Sequence, residues 1–508
     1  MRPSTDLAVA LLLAGALGGC GGGAPVPASS TSAPAEFIDV VAALPRSLDP
    51  GEEQGSAWER VETSLAATLV RPAGSPLGAR TLAPAGRVTG FLASSWRALA
   101  DGDYVFELRR DVRSPFGDEL SATDVRFSFE RELALSATAR FLARAGRIDA
   151  ANPVTVLGRY RVRINVSGPS TLTLPLLGNF RFGVLDARAV AAHATRSDPS
   201  ATGWLSDHLA YFGAWKLLGF APASKLLVAA NRHFWRPLGF RLVAIEAVSS
   251  ASVRLADVAA AAADHTSELD WADFAIATRT SGLRAVASAS SAISALIPNE
   301  RFRPFASGVV RRVLGLALDR RAISRAAYAG FAEPAGPTVR NVSIARLGLA
   351  EAGYPRGFRL VLGVDPDTPP AEVKAVVTEL AAAGVTVTVR RADGPAPLAR
   401  LARDATVGAV LETLSVPVAS PTLAILTDDL PDSPDNLGGY DSAKLNALEG
   451  ALEAGRPASA TASAADILST AFASIPLVEV PEQQVSLAAV QGYAAYPDGA
   501  LYYDELRG

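Results

Sequence analysis

Cys20 is the only cysteine in a chain of 508 residues. One thiol allows neither a disulfide framework nor a multi-cysteine metal centre, so the fold has to rest on buried apolar surface. The material is present: 49% of residues are hydrophobic and 19% charged, too apolar a mixture for a disordered chain. The length corresponds to about three domain-sized units. A net charge of −3 lacks the basic excess of a nucleic-acid binder.

The position of that cysteine is also informative. An apolar run, Leu7–Leu17, follows Arg2. It is shorter than the ~20 residues a membrane-crossing helix needs and fits the core of a secretory signal peptide. The run ends Leu17-Gly18-Gly19-Cys20, which resembles the bacterial lipobox. The resemblance implies that residues 1–19 are a lipoprotein signal peptide, with cleavage ahead of Cys20 and acylation of its thiol. Acyl chains in lipid contribute ~0.8 kcal/mol per CH₂, enough for a multiply acylated cysteine to hold a protein at a membrane surface. Residues 20–35 are rich in Gly, Pro, Ala and Ser and read as a flexible tether. The globular part is therefore expected at the outer face of the cytoplasmic membrane or in the periplasmic space, lipid-anchored.

Beyond the tether, short strands and helices alternate. Phe37–Leu44 reads as a buried strand, and Tyr104–Arg109, Tyr160–Val166 and Lys225–Ala230 as further strands. A helix opens near Thr123-Asp124, with Ser121 or Thr123 as cap. Val253–Ala263, Val309–Leu318, Arg320–Tyr328, Ala371–Ala383, Ala443–Glu453 and Ala462–Ser474 read as helices. Gly384 stops the fourth of these, with strand Val385–Val389 after it. Val485–Val490 is a final strand. The pattern predicts α/β layers.

Catalytic signatures do not occur. There is no phosphate loop of the Walker type, no G-x-G-x-x-G after a strand and no nucleophile elbow. The four histidines, His193, His208, His233 and His265, are scattered. The expectation is a non-enzyme with no catalytic residues, no cofactor and no metal.

Residues 91–131 carry a more specific pattern. Leu92, Ala93 and Trp96 fit "lAxsW"; Phe106, Leu108, Arg109 and Val112 fit "dGxxytFxLRxgVxf"; Ala122, Asp124, Val125, Phe127, Ser128 and Arg131 fit "dGxpltAxDVxFSfeR". Together they resemble the signature of family 5 extracellular solute-binding proteins, the oligopeptide-, dipeptide- and nickel-binding components of ABC importers. Further segments follow in order. Ser47-Leu48-Asp49-Pro50 is similar to "sLDP", and Asn231–Trp235 to "NxxYW". Ala317–Arg320 is similar to "AiDR", Ala350–Tyr354 to "LaeAGy" and Asn436–Tyr440 to "NxxgY". The likeness runs from about residue 38 to 503.

The resemblance implies a two-lobed α/β fold of the periplasmic-binding-protein type (type II) that closes on a ligand by a hinge motion. It places the first lobe at 36–247 with an extra subdomain at about 50–170, the second lobe at 248–482, and a return to the first lobe at 483–508. It implies capture of a peptide or peptide-like solute for an ABC permease by a monomer at the membrane surface, without nucleic acid. Peptide-binding relatives carry "WxxDxxDP" in the second lobe. Here the stretch Leu411–Pro421 has Leu414 near the Trp position and Ser or Pro at the acidic ones, and "GTGPY" keeps little at Leu209–Trp215. The alternatives are therefore a saccharide or metal-chelate binder, or a non-transporting envelope scaffold or regulator that keeps the fold. The ligand-facing candidates are Leu48, Asp49, Tyr211, Phe212, Trp215, Asn299, Leu414, Ser415, Asn436 and Tyr440. Trp96, Phe106, Phe127 and Trp235 are expected in the core.

Overall fold

The computed structural model describes residues 36–508 except 53–54, 85, 337–338, 418–419, 429–432, 434–435 and 454–456. Cys20, the apolar leader and the tether lie outside the described residues.

Strand Glu36–Val41 forms the middle of a seven-stranded sheet. It pairs in parallel with Leu242–Ala247 on one side and His265–Thr266 on the other. Its apolar residues Phe37, Val40 and Val41 are buried, as expected of a parallel strand covered on both faces. The sheet continues through Lys225–Ala230 to Trp215–Ala221 at one edge, and through Glu482–Leu487 to Leu283–Ser288 at the other. Parallel neighbours need a long crossover, and here it holds a second, four-stranded antiparallel sheet. That sheet runs Ala93–Ala98, Tyr104–Leu108, Arg161–Ile164, Val154–Gly158 and falls inside the range 50–170. Its hydrophobic core is continuous with that of the first sheet. Helix Ala122–Leu135 packs there. It starts at Ser121, whose backbone N–H donates to the Asp124 carboxylate (2.8 Å) in a reciprocal cap.

A third sheet of six strands has the order Glu333–Pro334, Ile475–Glu479, Ile293–Pro298, Ala409–Leu414, Phe358–Val364, Val385–Arg391. The last two pair in parallel, joined by helix Pro370–Ala382. Both strands start from left-handed glycines, Gly357 (φ 70°) and Gly384 (φ 98°). A Cβ on Gly357 would lie 1.7 Å from the Gly384 carbonyl oxygen, so the close approach of the two turns requires glycine.

The chain passes between the first and third sheets twice. Residues 289–292 link Leu283–Ser288 to Ile293–Pro298, and residues 480–481 link Ile475–Glu479 to Glu482–Leu487. The first sheet thus keeps the chain through His265–Thr266 and Leu283–Ser288, later than a boundary at 248. Sequence could not assign these two short strands, because their partners lie in Glu36–Val41 and Glu482–Leu487. The C-terminal segment returns to the first sheet: the Tyr503 hydroxyl donates to Asp39 (2.8 Å) and Arg71 pairs with Asp504 (2.9 Å).

Most sequence-predicted elements appear within a few residues of their expected ends. The run Ala443–Glu453 forms two short helices, Ala443–Asn446 and Glu449–Glu453, rather than one. Phe106 is fully buried, while Trp96, Phe127 and Trp235 are half-buried against the same core.

Candidate functional site

Beside the passage at 289–292 lies a cavity of about 160 Å³. Its floor is one face of strand Ile293–Pro298: Ile293, Ala295 and Ile297, spaced two apart, point to the same side. Leu414 pairs directly with Ile293, and Leu414, Ser415 and Val416 form the adjoining wall. Pro476 and its neighbours close the other side. The loop Asn436–Tyr440 roofs the cavity and is clamped on itself. The Asn436 side-chain amide donates to the Tyr440 carbonyl (2.8 Å), and the Tyr440 backbone N–H donates to Asn436 Oδ1 (3.1 Å). Ser291 anchors the rim by donating to the Val416 carbonyl (2.7 Å). Among the described residues lining this cavity none carries a formal charge. The site is an apolar chamber with a few hydroxyl and amide groups at its edge, the usual chemistry of a small-molecule site.

Four of the expected ligand-facing residues, Leu414, Ser415, Asn436 and Tyr440, come together here. The other six do not, and the expectation for them is corrected. Leu48 and Phe212 are packed in the core of the first sheet, and Trp215 is buried at the start of its edge strand. Asp49 is fully enclosed, and Arg131 grips it with two hydrogen bonds (2.8 and 2.7 Å) while the Gly51 N–H donates to it (2.9 Å). The Tyr211 hydroxyl donates to Glu62 (2.9 Å) in the same interior. Asn299 donates to the carbonyls of Asp404 (3.0 Å) and Val407 (2.9 Å) and accepts from the Arg301 N–H (3.1 Å), so its amide is used up tying loops together. Sequence had no signal for these partners, which are up to 149 positions away. Ser291, Ile293, Ala295 and Pro476 were not anticipated either. The run Ile293–Pro298 does not read as a strand, because Ile-Ser-Ala-Leu-Ile-Pro lacks a clean apolar–polar alternation.

The interior of the first sheet region holds a charge cluster of Asp49, Glu62, Arg131, Glu132 and Arg181. Burial pushes the Glu62 carboxyl up to about 8, opposed by the Tyr211 hydrogen bond and reinforced by Asp49 and Glu132. The sign follows from proton binding. Above the ordinary value of 4.5 the unfolded chain releases this proton while the folded chain keeps it. Stability therefore falls as pH rises from about 4.5 to about 8, and the loss is complete above that. Glu62→Gln is expected to flatten this slope and raise the melting temperature at pH 8 relative to the parent. Thermal melts across that range check it, and parallel profiles for parent and variant would refute it.

Arg60 forms a second cluster, pairing with Glu268 and, at 3.7 Å, with Glu482. Glu482 is the first residue after the 480–481 passage, so this pair sits at the joint between the sheets. The pocket beside it, lined by Asp39, His265 and Tyr503, measures about 20 Å³, room for about one water. No group of three or more His, Cys, Asp or Glu among the described residues is arranged to hold a metal. No helix among them is long and apolar enough to cross a membrane.

Two sheet-centred α/β lobes joined by two passages, with a cavity beside one of them, define a two-lobed binding protein of the type II periplasmic class. Residues 87–421 match the profile of the bacterial extracellular solute-binding proteins, family 5 Middle, and the chain belongs to that family. Among curated relatives, heme-binding protein A of Haemophilus influenzae is 24% identical over 308 residues, covering 54% of this chain and 55% of that protein. The chain thus spans about half the length of the curated relatives it matches. Among solved structures, the periplasmic binding protein DppA of Helicobacter pylori, in complex with the peptide STSA, aligns with a TM-score of 0.78 at 18% identity, covering 93% of this chain and 98% of that one. NikA of Staphylococcus aureus, in complex with Ni(L-His)2, aligns with a TM-score of 0.75 at 14% identity over 94% of this chain and 100% of that one. At these identities the structures establish the fold.

Proposed function

We propose that this chain is the lipid-anchored, extracytoplasmic substrate-binding component of an ABC importer. It captures a peptide or peptide-like solute between its lobes and delivers it to a permease. The first lobe comprises the first and second sheets with the C-terminal return, and the second lobe the third sheet. The observation that carries the reading is the cavity beside the inter-lobe passage, whose described lining residues are uncharged. At about 160 Å³ it is close in size to a cavity that holds one benzene ring, ~150 Å³, and so suits one apolar side chain of a solute. Leu414, Tyr440 and Val416 would contact that group, with Ser415 and Asn436 offering polar contacts at the edge. Cys20 is the proposed attachment point, leaving residues 20–35 as the tether.

Thermal-shift screening of the mature chain tests the capture reading, because a ligand that binds only the folded form raises its melting temperature. Apolar peptides are expected to give the largest shifts, ahead of saccharides and metal chelates. Failure of every class to stabilise the chain overturns capture. Cys20→Ser is expected to move the protein from the membrane to the soluble fraction.

One observation favours a second reading, a non-transporting envelope scaffold. A single hydrophobic cluster runs from Phe37, Trp58 and Phe212 of the first lobe to Val416, Leu423, Tyr440 and Leu445 of the second, so much of the apolar surface between the lobes is covered by the chain's own side chains. On this reading no solute stabilises the protein and no permease co-purifies with it.

A further inference from the structure

A groove of about 520 Å³ lies on the four-stranded second sheet. It shares no lining residue with the cavity beside the inter-lobe passage. Its volume falls within the ~300–1,000 Å³ of small-molecule sites, far more than a single ion needs. Ser94 and Ser95 are neighbours on edge strand Ala93–Ala98, where strict alternation would send them to opposite faces. Both line the groove because the strand bulges there: Ala93 pairs with Leu108 and Ser95 with Glu107, which leaves Ser94 as an extra residue.

Arg109 and Arg110 follow strand Tyr104–Leu108 and line the same groove. Arg109 is fixed by its Nε–H, which donates to the Phe91 carbonyl (2.6 Å), and its guanidinium lies 5.6 Å from the centre of the Trp235 ring. The Arg110 guanidinium lies 5.5 Å from the centre of the Tyr160 ring. Both rings are braced: Trp235 packs on Phe91 and Phe234, and the Tyr160 hydroxyl donates to Glu119. An aromatic neighbour holds a guanidinium while leaving the N–H donors at its edge for a planar acceptor. Neither arginine forms an ion pair among the described residues. Glu107, the one carboxylate among the described lining residues, is already paired with Arg161 (3.0 Å). The groove therefore holds two cations without a counter-charge.

We propose that this groove is a second binding site, for an acidic saccharide, distinct from the site of solute capture. The fork donors of Arg109 and Arg110 take the sugar carboxylate. Ser94, Ser95 and the Glu107 carboxylate exchange hydrogen bonds with ring hydroxyls, and the half-buried Trp235 offers an apolar surface to the C–H face of the sugar. The inference stands apart from the capture reading, since the first lobe alone supplies every one of these groups.

The test titrates digalacturonic acid and its dimethyl ester calorimetrically into the full mature chain. The ester keeps the rings and ring hydroxyls and lacks the anions. The acid is expected to bind at least about tenfold more tightly than the ester, the scale of a charge-assisted hydrogen bond. Raising salt should narrow that gap, because Arg110 is exposed. Arg110→Gln, an exposed change, is expected to weaken the acid by a similar factor, and Arg110→Lys, which keeps the charge without the fork, by less. Equal affinity for acid and ester overturns the inference, as does failure of the acid to bind at millimolar concentration. Unchanged affinity in Arg110→Gln places the sugar elsewhere and overturns it too. Tighter binding of triglutamate than of digalacturonate replaces the saccharide with an acidic peptide and overturns the assigned class. None of these results bears on trileucine binding between the lobes.

Discussion

Arg131→Met is expected to destabilise the folded chain by about 3–5 kcal/mol, the usual cost of removing one partner from a buried ion pair. Arg131 and Asp49 are almost completely enclosed, with side-chain exposures of 3% and 0%. The guanidinium satisfies both carboxylate oxygens and also donates to the Ser200 carbonyl. Without it, Asp49 keeps only local donors such as the Gly51 N–H and faces the Glu62 and Glu132 carboxyls, whose ionisation its charge opposes. The double change Arg131→Met with Asp49→Leu removes the stranded charge and is expected to recover much of the loss. Urea unfolding of the three proteins measures this. A single variant within about 1 kcal/mol of the parent would show that the pair contributes little to folding.

Ser415→Trp is expected to weaken apolar-peptide binding by about 10- to 100-fold while leaving the ligand-free melting temperature nearly unchanged. Ser415 is exposed and sits at the cavity rim, one residue past strand Ala409–Leu414. An indole there competes for about 160 Å³ that holds only one apolar group. Burying such a group contributes about 1.5–3 kcal/mol, which converts to that range of affinity. Because the serine is not packed, the fold has little to lose. Calorimetry with trileucine reads the result. Unchanged affinity would mean that the ligand sits elsewhere, and a large drop in melting temperature would mean that the rim is part of the core.

The fold was legible in the sequence wherever the signal was local. Ser121 and Asp124 announce a helix start three residues apart, Gly384 ends a helix, and Tyr160–Val166 alternates like a strand. The colinear motifs between residues 91 and 131 carried the family. The site was only half legible. Leu414, Ser415, Asn436 and Tyr440 share a cavity because their segments meet at one end of the third sheet. Asp49 and Tyr211, also among the ligand-facing candidates, are committed to Arg131 and Glu62. Nothing near either residue in the chain discloses that, since the partners lie 82 and 149 positions away.

By itself, then, the sequence determined most element types, the absence of a disulfide framework and the family pattern. These depend on neighbouring residues, whose spacing sets helix, strand and cap. Tertiary structure decided which charges are spent internally and which strand face meets a cavity. Those outcomes depend on contacts between distant segments, where burial and the available partner decide whether a polar side chain stabilises the fold or remains free for a ligand.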